Sequence, residues 1–224
     1  MKLKNFALIL LLLAISCTNN DDSTPITKAN ISGSVNLYDE ATTPLDKSNM
    51  LVKVNGTVPL ISALTDSNGE FVLKDVPFGT YTIEYEKLQY GIFKKFNFNH
   101  QGNTNIITET PSLGKISSTQ VTDLQVSVTG NQILFFITTN TNSTVSNSNF
   151  IYHSPIFVSQ INPYQSTITQ NDLITAGFVS GQTVYVKAYG ESYWSNEYFD
   201  VNLNKKVFPN LNALSANAVS FIVP

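Results

Sequence analysis

From residue 31 onward, apolar side chains tend to recur at every second position. Ile31, Gly33, Val35 and Leu37 alternate with Ser32, Ser34, Asn36 and Tyr38. Met50, Val52 and Val54 alternate with Leu51, Lys53 and Asn55, and Tyr81, Ile83 and Tyr85 with Thr82, Glu84 and Glu86, while Phe96 and Phe98 flank Asn97. A period of two sends successive side chains to opposite faces, so these runs predict strands with one buried and one wet face. Asn55-Gly56, Asp66-Ser67-Asn68-Gly69 and Pro77-Phe78-Gly79 separate them and predict turns. Residues 121–128 and 132–137 predict two more strands joined by Gly130-Asn131, and 219–223 predicts the last. No stretch beyond the N-terminal region keeps a 3.6-residue stripe for three turns. The expected fold class is all-β: two tandem β-sandwich domains, 30–114 and 118–224, with 112–118 read as a short linker. Residues 191–217 are expected to form a long loop or hairpin excursion before the last strand, and loops of that length without their own structure are often functional or disordered.

The N-terminus has a different character. Lys2 and Lys4 precede an unbroken apolar run over 6–15, which is too short for a membrane span of about 20 residues. Basic residues before a short apolar run predict a cleaved export signal, 1–16. The run ends at Ala14-Ile15-Ser16-Cys17, and Cys17 is the only cysteine. This arrangement resembles the lipobox of bacterial lipoproteins. The resemblance implies cleavage before Cys17, diacylglycerol on its sulfur and a further acyl chain on the new amino group. Several acyl chains anchor firmly, where one alone is marginal. The polar stretch that follows predicts a flexible tether, 17–29. Asp21 and Asp22 just past the cysteine resemble the export signal of surface-displayed lipoproteins in some Gram-negative bacteria. The expected location is the outer membrane, on its periplasmic face or at the cell surface.

Two further resemblances concern the sandwiches. Thr65-Asp66-Ser67-Asn68-Gly69-Glu70-Phe71, followed by Val76-Pro77-Phe78-Gly79-Thr80-Tyr81 and preceded by Gly33, resembles the carboxypeptidase regulatory-like domain. That resemblance implies a transthyretin-like sandwich grouped with carbohydrate-binding-like folds. It implies no peptidase activity, because the zinc-bearing catalytic domain is a separate unit. Phe178-Val179-Ser180-Gly181-Gln182-Thr183-Val184-Tyr185-Val186-Lys187-Ala188-Tyr189 resembles the turn and strand of a fibronectin type III domain, in a divergent form that lacks the usual Trp of the second strand.

Composition narrows the function. The chain is 42% hydrophobic but only 13% charged, half the usual charged share of about 25%. All its basic residues are Lys, and loss of Lys2 and Lys4 leaves 11 Lys against 16 acids, a net charge of −5. A mildly acidic chain without arginine forks is not built to hold a nucleic-acid backbone. His100 and His153 are the only histidines, one in each domain, and no local spacing joins either to a nucleophile or a metal site. No enzyme activity and no cofactor or metal are therefore expected. Asp66-Ser67-Asn68-Gly69 is read as a hairpin turn rather than a calcium loop, since a strand begins at Phe71. Related surface sandwiches make a Lys–Asn isopeptide bond, but Lys53 with Glu84 or Glu86 and Asn97 suits only an altered topology.

The remaining chemistry is aromatic: Tyr185, Tyr189, Tyr193, Trp194, Tyr198 and Phe199. Alternation sends part of this set into a core. Tyr193, Trp194 and Tyr198, in the long excursion, are the candidate contact residues for a glycan or protein partner. The expected function is a non-enzymatic, lipid-anchored envelope protein acting as an interaction or accessory module, with the membrane as partner through Cys17. The alternative is a carbohydrate-binding surface lipoprotein that assists glycan uptake or hydrolysis.

Overall fold

The computed structural model describes residues 27–102, 105–140, 148–153, 158–159 and 165–224, without side chains at 148–150, 152–153 and 158–159. Cys17 and the export-signal reading lie outside the described residues, as does the side chain of His153. In the N-terminal half the strands are β1 (Lys28–Ser34), β2 (Asn36–Tyr38), β3 (Leu51–Val54), β4 (Ile61–Leu64), β5 (Glu70–Pro77), β6 (Gly79–Lys87), β7 (Gly91–His100) and β8 (Ser112–Gly114). The C-terminal half contributes β9 (Val121–Thr129), β10 (Gln132–Thr139), β11 (Ser148–His153), β12 (Val158–Ser159) and β13 (Thr167–Thr169). It continues through helix α1 (Gln170–Thr175) to β14 (Thr183–Gly190), β15 (Tyr198–Asp200), β16 (Lys205–Val207) and β17 (Val219–Ile222).

The first sandwich sets an antiparallel sheet of order β4-β3-β6-β7 against the β1–β5 pair and the parallel β2–β8 pair. The alternation is borne out: Met50, Val52, Val54, Ile83 and Tyr85 are buried together with Ile31, Leu37, Phe71 and Leu73 in one cluster. The period slips at Asp75, whose φ of 53° lets Val76 rather than Asp75 follow Leu73 inward. Asn30 Oδ1 accepts the Asp75 N–H at 3.0 Å and holds that irregularity.

The second sandwich packs a β13-β10-β9 sheet against β12-β11-β14-β17. Its cluster joins Val121, Ile133, Phe135, Phe178, Val184, Val186 and Phe221. Burying each such side chain contributes roughly 1.5–3 kcal/mol. The Gly130-Asn131 hairpin forms as expected, with Gln132 opposite Thr129.

Two features depart from the sequence reading. Residues 112–114 are not linker but strand β8, which hydrogen-bonds in parallel to β2 and buries Leu113. The chain also has a helical turn, α1, capped by a reciprocal Thr169–Asp172 box and pinned by buried Leu173. At six residues it is too short to show a helical stripe. The fold remains an all-β sandwich.

Candidate functional site

The motifs of the first sandwich resolve into structural roles. Asp66 Oδ1 accepts the N–H groups of Asn68 and Glu70, each at 2.9 Å, so its carboxylate closes the β4–β5 turn. Gly33 faces Phe71 across the β1–β5 ladder, and a Cβ at Gly33 would stand 2.7 Å from the Phe71 ring. The spacing of these two residues is therefore one packing contact seen from two strands. Tyr81 donates its hydroxyl to the Pro77 carbonyl at 3.0 Å and fastens the turn into β6. His100 is buried: its ring meets Phe78 edge-on, and Nε2 lies 3.0 Å from the Val76 carbonyl oxygen. No group of three or more His, Cys, Asp or Glu fit to hold a metal occurs among the described residues.

Lys53 lies between Glu84 (2.6 Å) and Glu86 (2.7 Å), and Asn55 rather than Asn97 donates to Glu84, at 3.0 Å. Burial works to raise the Glu84 pKa, but the Asn55 and Lys53 hydrogen bonds and the charges of Lys53 and Lys94 outweigh it and hold it below 4.5. Glu84 is thus an ionised partner rather than a proton donor for isopeptide chemistry. A carboxylate with a lowered folded-state pKa stabilises the fold above its unfolded value, and that contribution disappears as pH falls through the folded value. Urea midpoints should therefore fall as pH drops below about 4.5. Lys53→Met should lower stability at neutral pH and shrink this acid-limb change. An unchanged acid limb in Lys53→Met would show that Glu84 draws nothing from the pair.

The candidate contact residues lie in the excursion, which forms a strap between the sandwiches. Trp194 stacks on Tyr38 of β2 with ring centroids 4.7 Å apart and planes at 24°. Its carbonyl accepts from Gly114 N at 3.2 Å and from Asn210 Nδ2 at 2.8 Å, while its indole N–H is buried without a partner. Tyr198 meets Phe93 edge-on and Phe96 at a tilt, with centroids about 6 Å away. Burial pushes its hydroxyl pKa up, and Asp200 and Glu84 add to that. Tyr193 has its N–H bound to the Glu40 carbonyl at 2.8 Å, yet its side chain is 56% exposed. Of the three residues, only Tyr193 presents most of its ring to solvent; Trp194 and Tyr198 commit theirs to the first sandwich.

Asn196 holds the strap. It is buried, accepts from Gly114 N at 3.0 Å, and donates through Nδ2 to the carbonyls of Tyr90 (2.8 Å) and Gly114 (3.3 Å). Buried Asn210 carries the pattern on, with its Oδ1 accepting from Asn196 N at 3.3 Å and its own carbonyl taking Ser117 N at 3.0 Å. Lys94 of β7 lies 4.0 Å from Asp200 and 3.9 Å from Glu84. The sequence flagged the aromatics, but nothing in it marks Tyr38, Tyr90 or Asn210 as partners of this segment.

Depressions also open elsewhere among the described residues. A cleft of about 480 Å³ lies between residues 56–59 and Lys74, Asp75, Pro77 and Tyr81. A groove of about 410 Å³ runs beside Gly33 and Phe71. A cavity of about 140 Å³ lies between Tyr85, Phe93 and the Lys95–Glu109 ion pair.

Fold and site together define an all-β chain of two sandwiches locked by an aromatic and amide strap. No family model matches it, and no curated protein matches it. Among solved structures, a chain of a cohesin–X-dockerin complex from Acetivibrio cellulolyticus is 28% identical over 38% of this chain, with a TM-score of 0.27. The match covers 51% of that protein, so this chain spans about half its length. A proposed carbohydrate-binding protein from Bacteroides uniformis is similar at 16% identity over 87% of this chain and 98% of its own, with a TM-score of 0.31. A DUF3823 family protein from Bacteroides ovatus aligns at 11% identity over 88% of this chain and 100% of its own, with a TM-score of 0.29.

Proposed function

We propose that this chain is a non-enzymatic envelope protein, anchored on the outer membrane through acylated Cys17, whose two sandwiches act as an interaction or accessory module. In this reading the first is a carboxypeptidase regulatory-like domain over 30–114 and the second a divergent fibronectin type III-like domain over 118–224. The observation that carries the proposal is where the chain enters and leaves the first sandwich. The described chain enters beside the start of β6, where Thr27 accepts the Phe78 N–H at 2.9 Å. The second sandwich is fastened near the other end of β6, through Tyr90 and Gly114. Nine residues of β6 separate the two ends by about 27 Å at roughly 3.3 Å per residue. A tether at one pole and a strapped sandwich at the other hold the second unit away from the anchoring bilayer, where a partner can reach it.

Mass spectrometry of the native protein should find Cys17 as an acylated N-terminus, and Cys17→Ala should move the protein from the membrane to the soluble fraction. An unacylated, water-soluble native protein would overturn the proposal. The exposed ring of Tyr193 favours a second reading, a carbohydrate-binding lipoprotein that assists glycan uptake or hydrolysis. Glycan capture that is lost in Tyr193→Ala, with membrane attachment kept, would select it.

A further inference from the structure

The tether pole of the first sandwich carries a feature that the core does not need. Residues 55–60 join β3 to β4, and the β3–β6 register places their tip beyond Ile83, on the side where β6 begins. Asn55 N donates to the Thr82 carbonyl at 3.0 Å and confirms that placement. At this tip Val58 is 98% exposed and Leu60 57% exposed, with Pro59 between them.

The tip is braced. Thr57 donates its hydroxyl to the Val54 carbonyl at 3.0 Å and accepts the Ile61 N–H at 2.9 Å. Two bonds through one hydroxyl hold the base of the loop and present its apolar residues outward instead of letting them fold back. Behind the tip, Asp75 is paired with Lys28 at 3.1 Å. Lys74, which also lines the cleft there, has no ion-pair partner among the described residues. Exposed apolar side chains above an uncompensated ammonium suit an interface that is oily within and phosphate-bearing at its edge.

We propose that residues 56–60 rest in the headgroup region of the bilayer that carries the protein's own lipid anchor. The inference rests on acylation of Cys17 and adds a second contact with the same membrane. The occupant follows from chain length and entry point. Ten peptide steps separate Cys17 from Thr27, so the two can lie at most about 35 Å apart. Thr27 and Lys28 enter the fold at the pole that displays Val58, because Lys28 bonds Asp75 at the rear of the same cleft. The short tether therefore keeps this tip, rather than any surface of the second sandwich, within reach of the lipid. Leu88, also strongly exposed, lies in the β6–β7 turn at the opposite pole.

The test uses the full mature acylated protein carrying Val58→Cys. With the sulfur of Cys17 blocked by lipid, the new thiol is the only one available for an environment-sensitive fluorophore. Val179→Cys, on an exposed turn of the second sandwich, serves as the control. In phosphatidylethanolamine–phosphatidylglycerol vesicles the Val58 probe should shift to the blue and be quenched by lipids bearing a shallow nitroxide, and the Val179 probe should do neither. Adding Leu60→Asp should abolish the shift while the protein still floats with the vesicles on its acyl chains. A protein that floats with both probes equally water-exposed overturns the inference and leaves the anchor standing. Failure to float, with no acyl mass on Cys17, overturns the anchor reading instead and withdraws the basis of the inference. A blue shift that grows with protein concentration in the absence of vesicles identifies a second copy as the occupant and also overturns it.

Discussion

Gly69→Ala is expected to destabilise the first sandwich by about 3–4 kcal/mol, at the upper end of what single substitutions do. Gly69 holds φ at +84° in the β4–β5 turn, a region that costs an L-residue roughly 1–2 kcal/mol. Space adds to conformation here. A Cβ would stand 2.2 Å from the Val35 carbonyl oxygen, which is backbone and cannot swing aside. The carbonyl of Gly69 meanwhile accepts the Val35 N–H at 3.0 Å, so moving the turn away to relieve the clash would break that bond. The comparison is Gly130→Ala in the β9–β10 hairpin, where φ is +57° but nothing lies within 4 Å of the added methyl group. That variant should lose only about 1 kcal/mol. Urea unfolding of both proteins checks the claim, and equal losses would show that strain alone, without the Val35 contact, governs the turn.

The second large effect is expected at the strap. Asn196→Asp keeps the side-chain shape and the acceptor for Gly114 N. It replaces the donor to the Tyr90 and Gly114 carbonyls by a carboxylate oxygen facing them. Leaving buried polar groups unpaired costs about 1–3 kcal/mol, and more for a charge. Asn196→Asp should therefore loosen the strap by about 3 kcal/mol or more, and Asn196→Ala by less, because it adds no charge. The only tryptophan, Trp194, reports the event directly, since its ring lies on Tyr38 when the strap is docked. Its emission should shift to the red, and cleavage within 191–217 should quicken, in Asn196→Asp before either β core melts. A Trp194 emission that changes only together with global unfolding would mean that strap and cores form one cooperative unit.

Much of the fold was legible residue by residue. Met50, Val52 and Val54 are buried and Lys53 is not fully so, as their alternation required, because a strand offers a side chain only two faces. The β4–β5 turn was legible because Asp66 and Gly69 act within five residues of each other. Strand β8 was not, since three residues cannot show a period, and helix α1 failed the same way. The burial of His100 was not legible either, because Phe78 and Val76 cover it from another strand and its turn. The strap was half legible. Its aromatics announced a contact surface, but the bond from Asn196 to Tyr90 spans 106 residues, and neither residue type names the other.

Local chemistry alone thus determined the strands, their inward faces and the hairpin turns, because backbone geometry and side-chain periodicity act over a few residues. The tertiary structure decided which surface covers Trp194 and Tyr198, how a run resembling a linker joins a sheet, and at which pole Val58 and Leu60 lie. Those outcomes depend on what a distant segment brings against each face, and burial is a property of the pair rather than of either sequence alone.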